Sequence, residues 1–330
     1  AGSTRKMGGA ARTFAAVLHV VVLVPGIQGL ASPSAQATKS RLIDAFRAKA
    51  DSVLVGPVTG GDLRRSVTSI GGLQDVVYTE GVGADMKVYR SNGDYVDLIP
   101  SPSGFSLSVS DVVESVTQSL NPTQLGRELF RSPYVSFLYE RGWRQQFQAN
   151  GFPGIDKEFE EVLEFFAPAE GGTVLDMSCG SGLMTRRLVS SGRYGRVLAA
   201  DFSESMLRET ARRFREAKLP LPTLVRCDVA KLPMRSESIS AVHAGAALHC
   251  WPQMEQGVEE LCRVLEPSGV MFATTFLTNA LIGGQQGSQA RGFRLFGVQE
   301  LETIFKEAGF QEVAVRKEGR ACAVVRASKA

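Results

Sequence analysis

Five apolar runs of strand length, Thr173–Met177, Arg196–Ala200, Thr223–Cys227, Ile239–His243 and Val270–Thr275, alternate with stretches of helical periodicity such as Leu183–Val189, Ser203–Lys218 and Gln256–Leu265. Strands that alternate with helices are joined by crossovers, so this part of the chain predicts a parallel sheet covered by helices on both faces. The chain then runs through Glu312–Arg316, a Lys-Glu-Gly turn and Ala321–Arg326. Those two strands predict a terminal antiparallel hairpin, a closure that ordinary dinucleotide-binding sheets lack.

At 330 residues the chain has room for one such α/β domain and a smaller attachment. Its formal charge of +3 is carried by residues 1–37, which contain Arg5, Lys6 and Arg12 and no acid. The remainder balances, which argues against a nucleic-acid surface spread over the fold. The five cysteines form no C-x-x-C pair and no ligand cluster with histidine. They read as reduced thiols of an intracellular or organellar protein, with no structural metal.

Residues 1–37 have the order of a targeting peptide: a basic stretch, an uncharged run from Phe14 to Ala31, and the small residues Ala35-Gln36-Ala37. Its densest apolar part, Phe14–Val24, is too short for a membrane span, and the whole run is borderline and interrupted by Pro25-Gly26, so a processed segment is favoured over a retained anchor. Residues 38–120 read as a small β-rich module, with a short helix over Arg41–Ala50. A hairpin is predicted from Met86–Tyr89 and Tyr95–Ile99 around Asn92-Gly93. Pro100-Ser-Pro-Ser-Gly104 reads as a boundary, and residues 121–330 as the larger domain, opening with helices over Leu125–Phe147 and Asp156–Phe166.

The chemistry concentrates at the strand ends. Val174-Leu-Asp-Met-Ser-Cys-Gly-Ser-Gly182 is a strand entering a glycine loop, and a helix follows. A nicotinamide-binding loop would place a third glycine at 185, where this chain has threonine. Asp176 is suited to the ammonium of a methionine moiety, and Gly180 and Gly182 to close backbone approach. Asp201 ends the second strand and can accept both hydroxyls of a ribose, with Phe202 beside it. Asp228 and Val229 follow the third strand and suit an adenine. After the fourth, His243-Ala-Gly-Ala-Ala-Leu-His-Cys-Trp-Pro252 supplies His243 to the same ligand. His249 reads there as a base or substrate contact and Trp251 as facing the substrate.

Glu128-Leu-Phe-Arg-Ser-Pro-Tyr-Val-Ser-Phe-Leu-Tyr-Glu-Arg-Gly-Trp-Arg144, Gly151-Phe-Pro-Gly154, the loop at 176–182 and the 243–252 segment together resemble the plant and algal plastid methyltransferases of the plastoglobule type. The resemblance covers about residues 125–330. It implies a class I (Rossmann-like) fold, S-adenosyl-L-methionine as donor, and no metal in the donor domain. It maps the donor residues onto Asp176, Ser178, Gly180, Gly182, Asp201 and Asp228. It further implies a chloroplast location at the thylakoid or plastoglobule and a small lipophilic acceptor such as a quinone or phenolic. Members of that family carry a zinc-ribbon-like module upstream. Its cysteine positions fall here on Gly56, Thr59, Val82 and Asp85, so metal is predicted to be lost from a degenerate ribbon. The alternative is a non-catalytic methyltransferase-fold subunit or assembly factor of a thylakoid membrane complex.

Overall fold

The computed structural model describes residues 50–57, 60–70, 73–80, 87–90, 94–99, 151–278, 289–290 and 293–330. The uncharged run Phe14–Ala31, the Leu125–Phe147 helix and residues 41–49 of the short helix lie outside them. Ala50 opens a strand instead. Among the described residues no helix is long and apolar enough to cross a membrane. The chain divides into two compact units, with the boundary between Gly93 and Asp94.

The first unit holds a four-stranded antiparallel meander, β1 (Ala50–Val55), β2 (Asp62–Ile70), β3 (Leu73–Glu80) and β4 (Lys87–Arg90), paired in that order. Ile70 pairs with Leu73 and Leu63 with Glu80, which sets the register of β2 on β3. Val53, Leu54, Leu63 and Tyr78 are buried in this unit. At Gly56 a Cβ would lie 1.9 Å from the carboxyl carbon of the buried Glu80, whose Oε2 accepts the Tyr89 hydroxyl at 2.8 Å. A side chain at position 56 would therefore have to displace the Glu80 carboxylate.

The hairpin predicted around Asn92-Gly93 does not form. β4 pairs with β3, whereas β5 (Val96–Asp97) belongs to the second unit and lies parallel to β8 (Thr223–Arg226). A favourable turn dipeptide loses here to burial, because Tyr95, Val96 and Leu98 each find an apolar site in the larger unit.

That unit is an eight-stranded sheet. Its further strands are β6 (Thr173–Met177), β7 (Arg196–Asp201), β9 (Ile239–Ala244), β10 (Leu265–Phe276), β13 (Phe310–Glu318) and β14 (Cys322–Lys329). The order is β13-β14-β10-β9-β6-β7-β8-β5, parallel from β10 to β5 and antiparallel through β14 and β13. This is the class I methyltransferase topology that the sequence predicts, with β5 added at the edge. The short β11 (Gln289–Ala290) and β12 (Phe293–Arg294) pair with each other. Among the described residues this unit also holds helices α1 (Ile155–Phe165), α2 (Leu183–Ser191), α3 (Glu204–Glu216), α4 (Met254–Val264) and α5 (Val298–Glu307), and α5 has no counterpart among the sequence expectations.

The central strands are buried on both faces, which is why they read as continuous apolar runs. One core packs Val162 and Phe166, together with Met184 and Leu188, against Val174, Ala241 and Phe272. Another sets Tyr95, Leu207 and Ala211 against Ala199 and Leu224. Ser203 caps α3 by accepting the Met206 N–H at 3.4 Å. Glu204 in its first turn and Arg213 and Arg215 in its last complement the helix dipole.

Candidate functional site

The glycine loop leaves β6 with Ser178, Gly180 and Gly182 all at positive φ, 57°, 56° and 75°. Glycine adopts this backbone freely, whereas it costs Ser178 about 1–2 kcal/mol. Several contacts hold the loop in place. The Cys179 N–H donates to the Ala200 carbonyl at 3.0 Å, and Thr210 Oγ1 donates to the Gly180 carbonyl at 2.8 Å. The Trp251 indole N–H donates to Ser178 Oγ at 3.0 Å. At Gly182 a Cβ would stand 2.6 Å from Thr210 Cγ2, so α3 packs against bare backbone there.

Asp201 bridges this loop to the start of α3. Its Oδ2 accepts the Gly180 N–H at 2.9 Å and its Oδ1 the Ser203 N–H at 2.8 Å. Burial pushes its pKa up to about 6 even though these N–H groups favour the charged form. Phe202 follows with 37% of its surface exposed, and the Arg226 guanidinium lies 5.8 Å from its ring centroid. The Cys227 N–H donates to the Asp201 carbonyl at 3.2 Å, tying the ends of β7 and β8 together. Asp228 closes its own turn, with Oδ1 accepting the Ala230 N–H at 3.0 Å. Val229 is buried and, with Trp251, lines the gap left by Gly257 on α4. The carboxyl ends of β6, β7 and β8 thus bring Ser178, Gly180, Gly182, Asp201, Phe202 and Asp228 to one end of the sheet, where open α/β sheets bind ligands.

Asp176 and His243 are placed differently from the sequence expectation. Neither is open to a ligand. Asp176 is 1% exposed; its Oδ1 lies 2.7 Å from His243 Nδ1 and its Oδ2 accepts the Thr185 hydroxyl. His243 Nε2 lies 3.2 Å from Oε1 of Glu158, a buried residue of α1. Burial alone would lower the His243 pKa, but hydrogen bonds and charge from Asp176 and Glu158 outweigh it and raise the pKa to about 9. His243 is therefore an imidazolium held between two carboxylates beneath the glycine loop. Removing one member of such a buried set costs about 3–5 kcal/mol because it strands the others.

The residues assigned to the acceptor side are also occupied elsewhere. His249 is buried, with Nδ1 3.4 Å from Thr275 Oγ1 and its ring edge-on to Phe276 at 4.9 Å. Burial lowers its pKa to about 3, so it is neutral and too weak a base to draw a proton near neutral pH. Trp251 is 6% exposed and braces Ser178 rather than lining an open surface. Glu158 does carry a local signal: of the five acids of α1 it is the one at apolar-face spacing, three residues after Ile155 and four before Val162, but its partner His243 is not legible from the helix.

The methyltransferase-domain family model matches residues 175–273, from β6 to β10, a segment that contains the whole of this sheet end. The chain is 45% identical over 207 residues to an uncharacterized chloroplastic methyltransferase of Arabidopsis thaliana, covering 61% of this chain and 55% of that protein. A second uncharacterized chloroplastic methyltransferase of Arabidopsis thaliana is 51% identical over 160 residues, 47% of this chain and 45% of its own length. A demethylmenaquinone methyltransferase of Desulfitobacterium hafniense is 25% identical over 157 residues, 46% of this chain and 55% of its own. The chain thus spans about half the length of these curated relatives. Two side chains bonded into the methyltransferase domain, Glu158 and Asp97, lie upstream of the matched segment.

Proposed function

We propose that the chain is an S-adenosyl-L-methionine-dependent methyltransferase of the plastid that acts on a small lipophilic acceptor of the quinone or phenolic class. The observation that carries this reading is Asp201. It is a carboxylate at the end of the second parallel strand, fixed by the glycine-loop and α3 backbones and left with a raised pKa by burial. Two ribose hydroxyls donating to it would supply the stabilisation of charge that burial withholds. The positive-φ glycines open the backbone to the methionine portion, and Asp228 stands ready for the adenine amine.

Bound there, the donor supplies a methyl group activated on a sulfonium. The protein's part is to bind, orient and exclude water, which suffices for an in-line displacement. Asp176 and His243 enter this account as positioning residues, acting through Thr185 and the strand ends. The plastid assignment draws on the chloroplastic names of the relatives, and the quinone class on the demethylmenaquinone methyltransferase. Thylakoid or plastoglobule association is part of this proposal and rests on the resemblance to the plastoglobule-type family.

One observation favours the non-catalytic alternative: His249 and Trp251 are both engaged in packing and bracing. Titration of the full chain with S-adenosylhomocysteine, followed by incubation with S-adenosylmethionine and a demethylated quinone, separates the readings. The enzyme reading expects saturable binding that Asp201→Ala weakens by about 1–3 kcal/mol, and a methylated product. Absence of binding by a folded sample refutes it. Binding without product from any quinone or phenol favours the assembly role.

A further inference from the structure

The edge strand β5 lies far upstream of the glycine loop, yet through Arg226 of β8 it is linked to the aromatic residue beside Asp201. Val96 and Asp97 register with Val225 and Arg226, and the Leu98 N–H donates to the Arg226 carbonyl at 2.9 Å. Tyr95 is buried in the cluster of Ala199, Leu207, Ala211 and Leu224, against which Cys179 of the glycine loop packs. The Arg226 side chain then crosses from β5 to the end of β7. Its Nη1 pairs with Asp97 Oδ2 at 2.7 Å, its Nε donates to the Phe202 carbonyl at 3.1 Å, and its guanidinium lies against the Phe202 ring. Asp97 is itself oriented, because its Oδ1 accepts the Ile99 N–H at 3.1 Å.

A half-exposed phenylalanine at a pocket mouth normally samples several rotamers, and a flat ligand must order it on binding. Here the carbonyl and the ring of Phe202 are both held by one planar cation. That cation is fixed from its far side by the carboxylate of a strand outside the family match.

We infer that Asp97 and Arg226 are positioning residues that preorganise Phe202 for the purine of the donor, which makes β5 a working part of the nucleoside pocket. The inference rests on the donor reading given above. It assigns the segment 94–99 a role in ligand selectivity: the brace bears on the adenine end and leaves the methionine end alone. Lysine at 226 would keep the ion pair with Asp97 and lose the planar contact, so charge and stacking can be separated.

The test is calorimetric titration of the full chain with S-adenosylhomocysteine and, in parallel, with adenosine. The variants are Arg226→Lys, Asp97→Asn, Phe202→Ala and the Arg226→Lys/Phe202→Ala double. Expected are roughly three- to tenfold weaker binding of both ligands for Arg226→Lys, and a smaller loss for Asp97→Asn. The double variant should bind no more weakly than Phe202→Ala alone. That non-additivity is a signature that general loosening of the fold would not produce. Unchanged affinity in Arg226→Lys, or losses that simply add in the double variant, overturns the inference while the donor reading stands. If wild type binds neither ligand, the donor reading falls and the inference with it. Asp97→Asn removes only a half-exposed partner, so it supplies the answer should Arg226→Lys fail to fold.

Discussion

Titrating the folded chain upward toward pH 9 removes the proton that His243 holds between Asp176 and Glu158. The folded pKa of about 9 lies above the ordinary 6.5. The bound proton therefore stabilises the fold fully below pH 6.5, where the unfolded chain carries it as well. That contribution declines between 6.5 and 9 and is gone above 9. A gap of about 2.5 pH units at 1.36 kcal/mol each amounts to about 3 kcal/mol, a large share of a typical domain's stability. Other shifted groups act elsewhere on the pH scale. Asp201 is raised from 3.8 to about 6, so its contribution is present below 3.8 and lost by pH 6. His249 is lowered to about 3, so its contribution is present above 6.5 and lost as the pH falls. The buried thiol of Cys250, raised from 9.0 to about 12, enters only above pH 9. Urea unfolding followed by circular dichroism at half-unit steps from pH 6.5 to 9 measures the slope, with His243→Gln as reference. Wild type should lose roughly 1 kcal/mol per pH unit in mid-window relative to the variant. Parallel profiles for the two proteins would refute the imidazolium assignment.

Gly182→Ala should lower stability by about 2–4 kcal/mol, combining a left-handed backbone penalty with a contact at 2.6 Å from Thr210 Cγ2, as read from the thermal midpoint. Trp251→Phe keeps an aromatic ring but removes the five-membered part of the indole and leaves Ser178 Oγ without its donor. A loss of about 1 kcal/mol in stability, with weaker S-adenosylhomocysteine binding, is expected from melting and calorimetry.

The parallel strands were legible because each is a short apolar run that stops at a charged or glycine-rich turn, and burial on both faces removes any other reading of such runs. Asp201 and Asp228 were legible for the same reason: a strand's end is fixed once the strand is. What the sequence hid is non-local. β5 pairs with a strand through Asp97 and Arg226, 129 residues apart, so the nearby Asn92-Gly93 turn offered a more local partner that the fold does not use. Glu158 stands at apolar-face spacing on its helix, but the histidine that pairs with it is 85 residues further on. His249 and Trp251 were found as a motif, but their direction was not in the motif. Phe276 and Ser178, distant in sequence, decide it.

The carboxylate of Glu80 has a bearing on how the first unit's sequence can change. A side chain at position 56 would bring its Cβ to 1.9 Å from the Glu80 carboxyl carbon, so that carboxylate would have to swing aside. Shortening Glu80 first would take the acceptor from the Tyr89 hydroxyl. Substitutions at 56 and 80 therefore meet in one carboxylate, and their effects on the stability of this unit should not simply add.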